Sequence, residues 1–422
     1  MQLGEITEPK IDQAGPPPTG EFTYVDISSV DNSAKRIVEP KRLPADSAPS
    51  RARQRLRSGD VLVSMTRPNL NAVALVPPQL HGAIGSTGFH VLRARDIVLP
   101  QWLYYGVQTR QFVGTMSELV QGALYPAVRP KDIRAFDLSV PELDEQRRIV
   151  AELEKQFSRL DEAVATLARA GVAMSAYRAS VLEAAIRGKL LSESGPISAS
   201  RLDDLIGKIH QGWSPKCDLQ REPEPNEWAV ITTTAVQPMK YVDNQGKPLP
   251  AALEPRPRLE IQPGDFLVTR KGPRARAGVA CLVRQTRRRL MVCDTVYRFR
   301  CDESRVVPDY LEIALNAPSV IQAIDRQKAG INESGVSLTH QKLGGIAIAV
   351  PSREAQHRIV AEVDRRLSIV REVEAEVDAN LKRAQALRQA VLARHFQSHS
   401  EGGLLWQSKR VTTLAVSSSA RR

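Results

Sequence analysis

The feature that most constrains this chain is an internal repeat. Pro141–Leu160 (PELDEQRRIVAELEKQFSRL) lies over Pro351–Val370 (PSREAQHRIVAEVDRRLSIV) at an offset of 210, with eight of 20 positions identical. The identities include the run Arg148–Glu152 over Arg358–Glu362. The same offset later pairs Arg178, Val181 and Leu182 with Arg388, Val391 and Leu392. Earlier segments repeat with small changes of offset. Gly59–Ser64 (GDVLVS) resembles Gly264–Thr269 (GDFLVT), Ala72–Val76 resembles Val279–Val283, and Phe22–Val30 resembles Trp228–Val236. Matched segments recurring in one order imply two copies of one structural unit. The chain reads A–B–A′–B′, with A about 140–150 residues and B about 50.

The A units read as mixed α/β. Val61–Ser64, Val73–Val76, Phe89–Leu92 and Phe136–Val140 are short β-type runs bounded by Gly, Pro, Asp or Arg, matched by Phe266–Thr269, Val279–Val283, Val296–Phe299 and Ile346–Val350. Pro100–Val113 and Pro308–Ile324 read as helices with proline in the first turn. The B units read as long helices. Leu153, Phe157, Leu160, Val164, Leu167, Gly171 and Met174 recur at spacings 4,3,4,3,4,3, as do Val363, Leu367, Val370, Glu374, Val377, Leu381 and Ala384. That spacing is a heptad seam, interrupted in the second copy by Glu374. The expected segments are 1–140, 141–196, 197–350 and 351–397, with Ser-rich 398–422 as a flexible tail.

Composition narrows the function. The chain has 422 residues and a net charge of +12, from 59 Lys+Arg against 47 Asp+Glu. This excess favours a polyanionic partner. Four cysteines without C-x-x-C spacing exclude a disulfide framework and point to a reduced, cytoplasmic compartment. No apolar stretch approaches the roughly 18 residues a membrane helix needs. The start has no basic segment followed by an apolar one, so no secretory signal is read. Catalytic motifs are missing as well. No G-x-G-x-x-G or G-x-x-x-x-G-K-[ST] loop occurs, and no H-E-x-x-H. Pro308–Glu312 faintly resembles a nuclease acidic motif, but Ala314 stands where a lysine belongs. Acids near a helix start are the simpler reading. His210 and Cys217 lack two further metal ligands. The expectation is a binding module that is not itself an enzyme. The rivals are a methyltransferase or nuclease with unrecognised motifs, and a coiled-coil scaffold without DNA affinity.

The basic residues are not spread evenly. Lys35–Arg67 carries nine bases against three acids, and Arg256–Arg289 carries ten against two. Both segments straddle the repeated Gly-Asp-strand element. Arginine predominates, and its planar fork bonds guanine edges or phosphates in bidentate fashion. Aromatics are only 5%, which disfavours a single-strand stacking platform and favours duplex DNA. The expected DNA contacts are Arg53, Arg55, Arg57 and Arg67 in the first copy, with Arg270, Lys271, Arg274 and Arg276 in the second. Arg67 and Arg270 follow matched strands and are expected at base edges. Lys271, Arg274 and Arg276 are expected at phosphates.

Several motifs carry a family resemblance. Glu145–Val150, separated from Pro141 by three residues, is similar to the Pro-x-x-E-Q-x-x-I-V junction of specificity subunits of type I restriction–modification systems, with one more residue between the proline and the Glu-Gln pair. Tyr177–Leu190 resembles that family's central helix ending, and Gly122–Val128 resembles a segment of its target-recognition domains. The second copy departs from the pattern, with Ala355 for Glu145, His357 for Arg147 and an Ala393–Phe396 ending without Gly-Lys-Leu. The resemblance implies two target-recognition domains, each reading half of a split DNA site. They would be separated by two long helices pairing as an antiparallel coiled coil. It further implies docking of two modification (methyltransferase) subunits and of motor–nuclease restriction subunits. The helix starts, Gln146, Arg148 and Ile149 with Gln356, Arg358 and Ile359, would supply the docking surfaces. S-adenosylmethionine, ATP and Mg²⁺ would belong to those partners, with no cofactor on this chain.

Overall fold

The computed structural model describes residues 1–120, 126–191, 195–217, 221–330 and 332–416, with side chains to Phe396. The chain packs into two units. The first comprises Met1–Leu167 and Ala379–Arg422, the second Ala168–Asp378. Each unit therefore combines one A segment with parts of both long helices, Leu143–Ile186 and Arg353–Val416.

In the first unit the strand Val61–Ser64 lies between Val73–Leu75 and Phe89–Leu92, antiparallel to both. In the second, Phe266–Thr269 lies between Ala280–Leu282 and Val296–Phe299 in the same way. The registers coincide. Val61 faces Leu75 and Leu92, as Phe266 faces Leu282 and Phe299. A second sheet repeats too. Glu21–Val25 runs parallel to Ile84–Ser86 and antiparallel to Lys41–Pro44. Ala229–Ile231 does the same with Leu290–Met291 and Gly246–Pro248.

The Gly-Asp pair ahead of each central strand has a physical cause. Gly59 and Gly264 adopt φ of 87° and 89°, which a Cβ would disfavour. The following carboxylates then close the turn. Asp60 accepts from the Arg57 backbone N–H at 2.7 Å, and Asp265 from that of Gln262 at 2.9 Å. Each carboxylate also holds the last strand of its ladder, through Arg93 at 2.7 Å and Arg300 at 2.9 Å.

The heptad pattern is borne out as a burial pattern. Leu153, Phe157, Val363, Leu367 and Val370 are buried and Leu160 is half-buried, each between more exposed neighbours. The helices pair antiparallel. In the first unit Asp161 bonds Arg388 at 2.6 Å, while Glu152 lies 4.0 Å from His395. In the second, Val181–Ile186 shares a core with Ile359–Val370. Glu374, the interruption of the seam, is met by Arg178 at 2.6 Å. An ion pair thus replaces the missing apolar contact.

Four expectations are corrected. Pro100–Val113 is two helices, Pro100–Gly106 and Arg110–Glu118, because Thr109 caps a new start by accepting from Phe112 N–H. Pro308–Ile324 is likewise Pro308–Leu315 and Pro318–Gln327, since Pro318 cannot continue a helix. Phe136–Val140 is not a strand. It makes only a bridge between Asp137 and Gln2, whereas Ala347–Val350 pairs fully with Ser198–Arg201. The second long helix also runs past residue 397 to Val416, through a stretch without proline. Residues 417–422 lie outside the described residues.

Candidate nucleic-acid interface

In the first unit the strand Ala52–Arg55 alternates buried and exposed positions, which turns Arg53 and Arg55 outward while Ala52 and Gln54 are buried. Arg57 is exposed just beyond. Arg53 donates to Ser50 O at 3.1 Å, and Arg55 sits 3.7 Å from Asp12. Arg67 is exposed too, and its side chain has no bonded partner among the described residues. Its backbone is left-handed, φ 48°, and fixed by its N–H donating to Pro126 O at 2.8 Å. A tight turn, Pro68–Leu70, follows and ends at Asn71, also left-handed at 46°. Of the segment Gly122–Val128, residues 122–125 lie outside the described residues.

The second unit distributes its bases differently. Arg276 donates to Thr233 O, Val236 O and Gln237 Oε1 at 2.6–3.1 Å, so it braces a hairpin. Arg274 is held by Asp325 at 3.1 Å and Glu333 at 3.0 Å. Arg270 is half-buried against the Tyr297 ring, 5.4 Å from its centroid, and its Nε has no partner among the described residues. The neighbouring His340 is held below its usual range, first by burial and second by the Arg270 charge. Only Lys271 of the four is exposed without a described side-chain partner. Although both follow matched strands, Arg67 and Arg270 are not counterparts. Val128 N–H donates to Met65 O where Leu338 N–H donates to Arg270 O, so Met65 is the counterpart of Arg270 and Gly272 that of Arg67.

Residues not anticipated from sequence join Lys271. A cavity of about 330 Å³ is lined by Lys247, Lys271, Ser214, Thr232, Thr233 and Thr295, with no carboxylate in its wall. Ammonium groups with hydroxyls suit a phosphate oxygen. Lys247 and Lys271 stand in separate strands, so no local motif announces them.

The helix-start residues fall into two groups. Gln146 is fully buried. Its Oε1 accepts from Leu99 N–H at 2.8 Å, and its Nε2 donates to Ile97 O and Pro141 O at 3.0 and 2.8 Å. Gln356 repeats the arrangement with Val307 N–H at 2.7 Å and Pro351 O at 3.0 Å. Ile149 and Ile359 are 0% exposed in the cores of their own units. These four residues lock each A segment onto its helix and present no surface, which corrects the expectation that they face a partner. Arg148 and Arg358 are exposed, Arg148 tied to Glu145 at 2.6 Å.

The acidic motif is engaged within the fold. Glu312 is buried and held above its usual range by burial, with Arg284 opposing the shift. It accepts from Leu282 N–H and Arg284, both at 2.7 Å. Among the described residues no group of three His, Cys, Asp or Glu side chains could hold a metal ion. Among them also, no helix is long and apolar enough to cross a membrane.

Comparison with known proteins gives a consistent set of relatives. The chain is 36% identical over 166 residues to the EcoEI type I restriction enzyme specificity subunit of Escherichia coli, covering 39% of this chain and 28% of that protein. It is 22% identical over 377 residues to the EcoKI specificity subunit of Escherichia coli K12, covering 86% and 78%. A solved structure described as showing complex assembly and conformational transition of a type I R-M system aligns with a TM-score of 0.63 at 26% identity, covering 94% of this chain and 96% of that one. No family model matches.

Proposed function

From the premise that this chain belongs to the specificity subunits of type I restriction–modification systems, we propose that it reads a split site in double-stranded DNA and catalyses no reaction itself. Segments 1–140 and 197–350 each read one half-site, 141–196 and 351–397 act as the spacer, and the complex works in the cytoplasm. The observation that carries this reading is the duplication of one ladder register in two units, each with exposed cations at the ends of its strands. A strand end is a rigid mount for a side chain entering a groove.

In the first unit Arg53, Arg55, Arg57 and Arg67 are the contacts. Arg67 meets a base edge from its braced turn. In the second unit Lys271 and Lys247 hold a phosphate, while Arg270, Arg274 and Arg276 shape the surface. Two modification subunits dock on exposed positions near the helix starts, Arg148 and Arg358 among them, and restriction subunits join that core. S-adenosylmethionine, ATP and Mg²⁺ act on those partners. Titration of the full chain with duplex DNA over a salt series tests the reading. Binding should weaken steeply with salt, and Lys271→Ala should lower the slope by about one unit. Salt-independent or undetectable binding contradicts it.

A further inference from the structure

The two units share a hairpin whose return strand is preceded by a left-handed residue that is not glycine. That residue is Lys35 in the first unit and Met239 in the second, both at φ 55°. The backbones match and the side chains do not. Lys35 Nζ donates to Asn71 O at 2.5 Å, the residue that ends the Arg67–Asn71 turn. Lys35 O accepts from Tyr104 Oη at 2.9 Å. Tyr104 O accepts from Gln108 Nε2 at 2.9 Å, and Gln108 O from Gln389 Nε2 of the second long helix at 3.1 Å. A continuous line of bonds therefore joins the turn carrying Arg67 to a long helix of the same unit.

That turn is tied from outside at both ends, by Arg67 N–H on Pro126 O and by Lys35 on Asn71 O. It is bracketed by two left-handed residues, Asn71, a residue type that tolerates that conformation, and Arg67, for which it is strained and persists where surroundings enforce it. In the second unit the positions of Tyr104 and Gln108 carry Glu312 and Asn316, and Met239 has no ammonium to donate. Asn316 Nδ2 repeats the inner link by donating to Glu312 O at 2.9 Å, so what sets the first unit apart is the pair of outer links, the Tyr104 hydroxyl on Lys35 O and the Lys35 ammonium on Asn71 O.

We infer that Lys35 is a positioning residue for recognition of one half-site, fixing through Asn71 the turn from which Arg67 reaches DNA and anchoring it through Tyr104 to the helical spacer. This rests on the proposed function, in which Arg67 meets a base edge. The full chain would select from a pool of randomised duplexes, alongside Arg67→Ala, Lys35→Met, Lys35→Arg and Tyr104→Phe, with thermal melting of each. Lys35→Met installs the side chain its counterpart carries. It should lower discrimination about tenfold in the half-site that Arg67→Ala relaxes, leave the other half-site unchanged, and keep a single cooperative melting transition at pH 7. Lys35→Arg should restore part of the loss, and Tyr104→Phe should cause a smaller loss in the same half. If Arg67→Ala relaxes one half-site while Lys35→Met leaves both intact, or relaxes both equally, the inference is overturned and the function stands. If the parent chain selects no sequence, or Arg67→Ala changes neither half, the assignment of Arg67 fails and the inference falls with it.

Discussion

Replacing Gln146 by alanine should open the joint between the first A segment and its helix. The side chain is fully buried and makes three hydrogen bonds, to Leu99 N–H, Ile97 O and Pro141 O. Alanine leaves the Leu99 amide, at the N-cap of Pro100–Gly106, without this acceptor. At about 0.5–1.5 kcal/mol for each bond, with a surcharge for buried orphaned groups, the local loss is about 2–4 kcal/mol. Gln356→Ala removes two bonds, so its loss is about 1–3 kcal/mol. Native-state hydrogen exchange reads both at single amides. A loss near 3 kcal/mol speeds exchange at Leu99 more than about a hundredfold, because each 1.4 kcal/mol is a factor of ten. Val307 should respond to Gln356→Ala and not to Gln146→Ala. A change under threefold at Leu99, or equal responses at both amides to either variant, would refute the lock.

Three further outcomes follow from burial and charge. Ile149→Asp and Ile359→Asp each place a carboxylate in a closed core, and each should destabilise its own unit by more than about 3 kcal/mol in urea unfolding; folded variants that merely fail to assemble would restore the docking role. Lys35 is held down to about 8, first by burial and second by Arg388, with Asp31 opposing. The folded state thus releases this proton before the unfolded chain does, and stability relative to Lys35→Met should rise from pH 8 to 10.5 and be lost as pH falls through 8; a flat difference contradicts this. His90, its Nε2 without a partner among the described residues, is held at about 4 by burial first and Arg134 second. Its contribution is present above pH 6.5 and lost as pH falls through 4, so His90→Phe should flatten that acid limb of the melting curve.

Much of the architecture was legible because it depends on local signals. The 4,3 spacing from Leu153 to Met174 and the Gly-Asp turns at 59–60 and 264–265 are written in adjacent residues, and the folded chain uses them as read. What was illegible depends on partners far along the chain. Arg274 and Arg276 carry the same charge in sequence as Arg67, yet Asp325, Glu333 and the carbonyls of residues 233 and 236 engage them, at separations of 40 to 59 residues for the Val236, Thr233, Asp325 and Glu333 contacts. Gln146 in a motif looks like a surface residue, because nothing local says that Leu99 will bring its amide there. That Arg270 corresponds to Met65 and not to Arg67 is likewise set by backbone bonds to distant residues, Val128 and Leu338. The Pro318 break, by contrast, is a local signal, a proline at the first turn of the helix Pro318–Gln327.

The central claim is that two matched units read two separated half-sites. Single-molecule sequencing of DNA from cells expressing this chain with its modification subunits tests it most directly. The account predicts methylation at one split motif, two short specific halves around an unread gap of fixed length. Inserting one heptad after Leu167 and another after Val377 lengthens each helix by about 10 Å, which should widen that gap by roughly three base pairs without changing either half. A single continuous motif, or methylation independent of this chain, would contradict the claim.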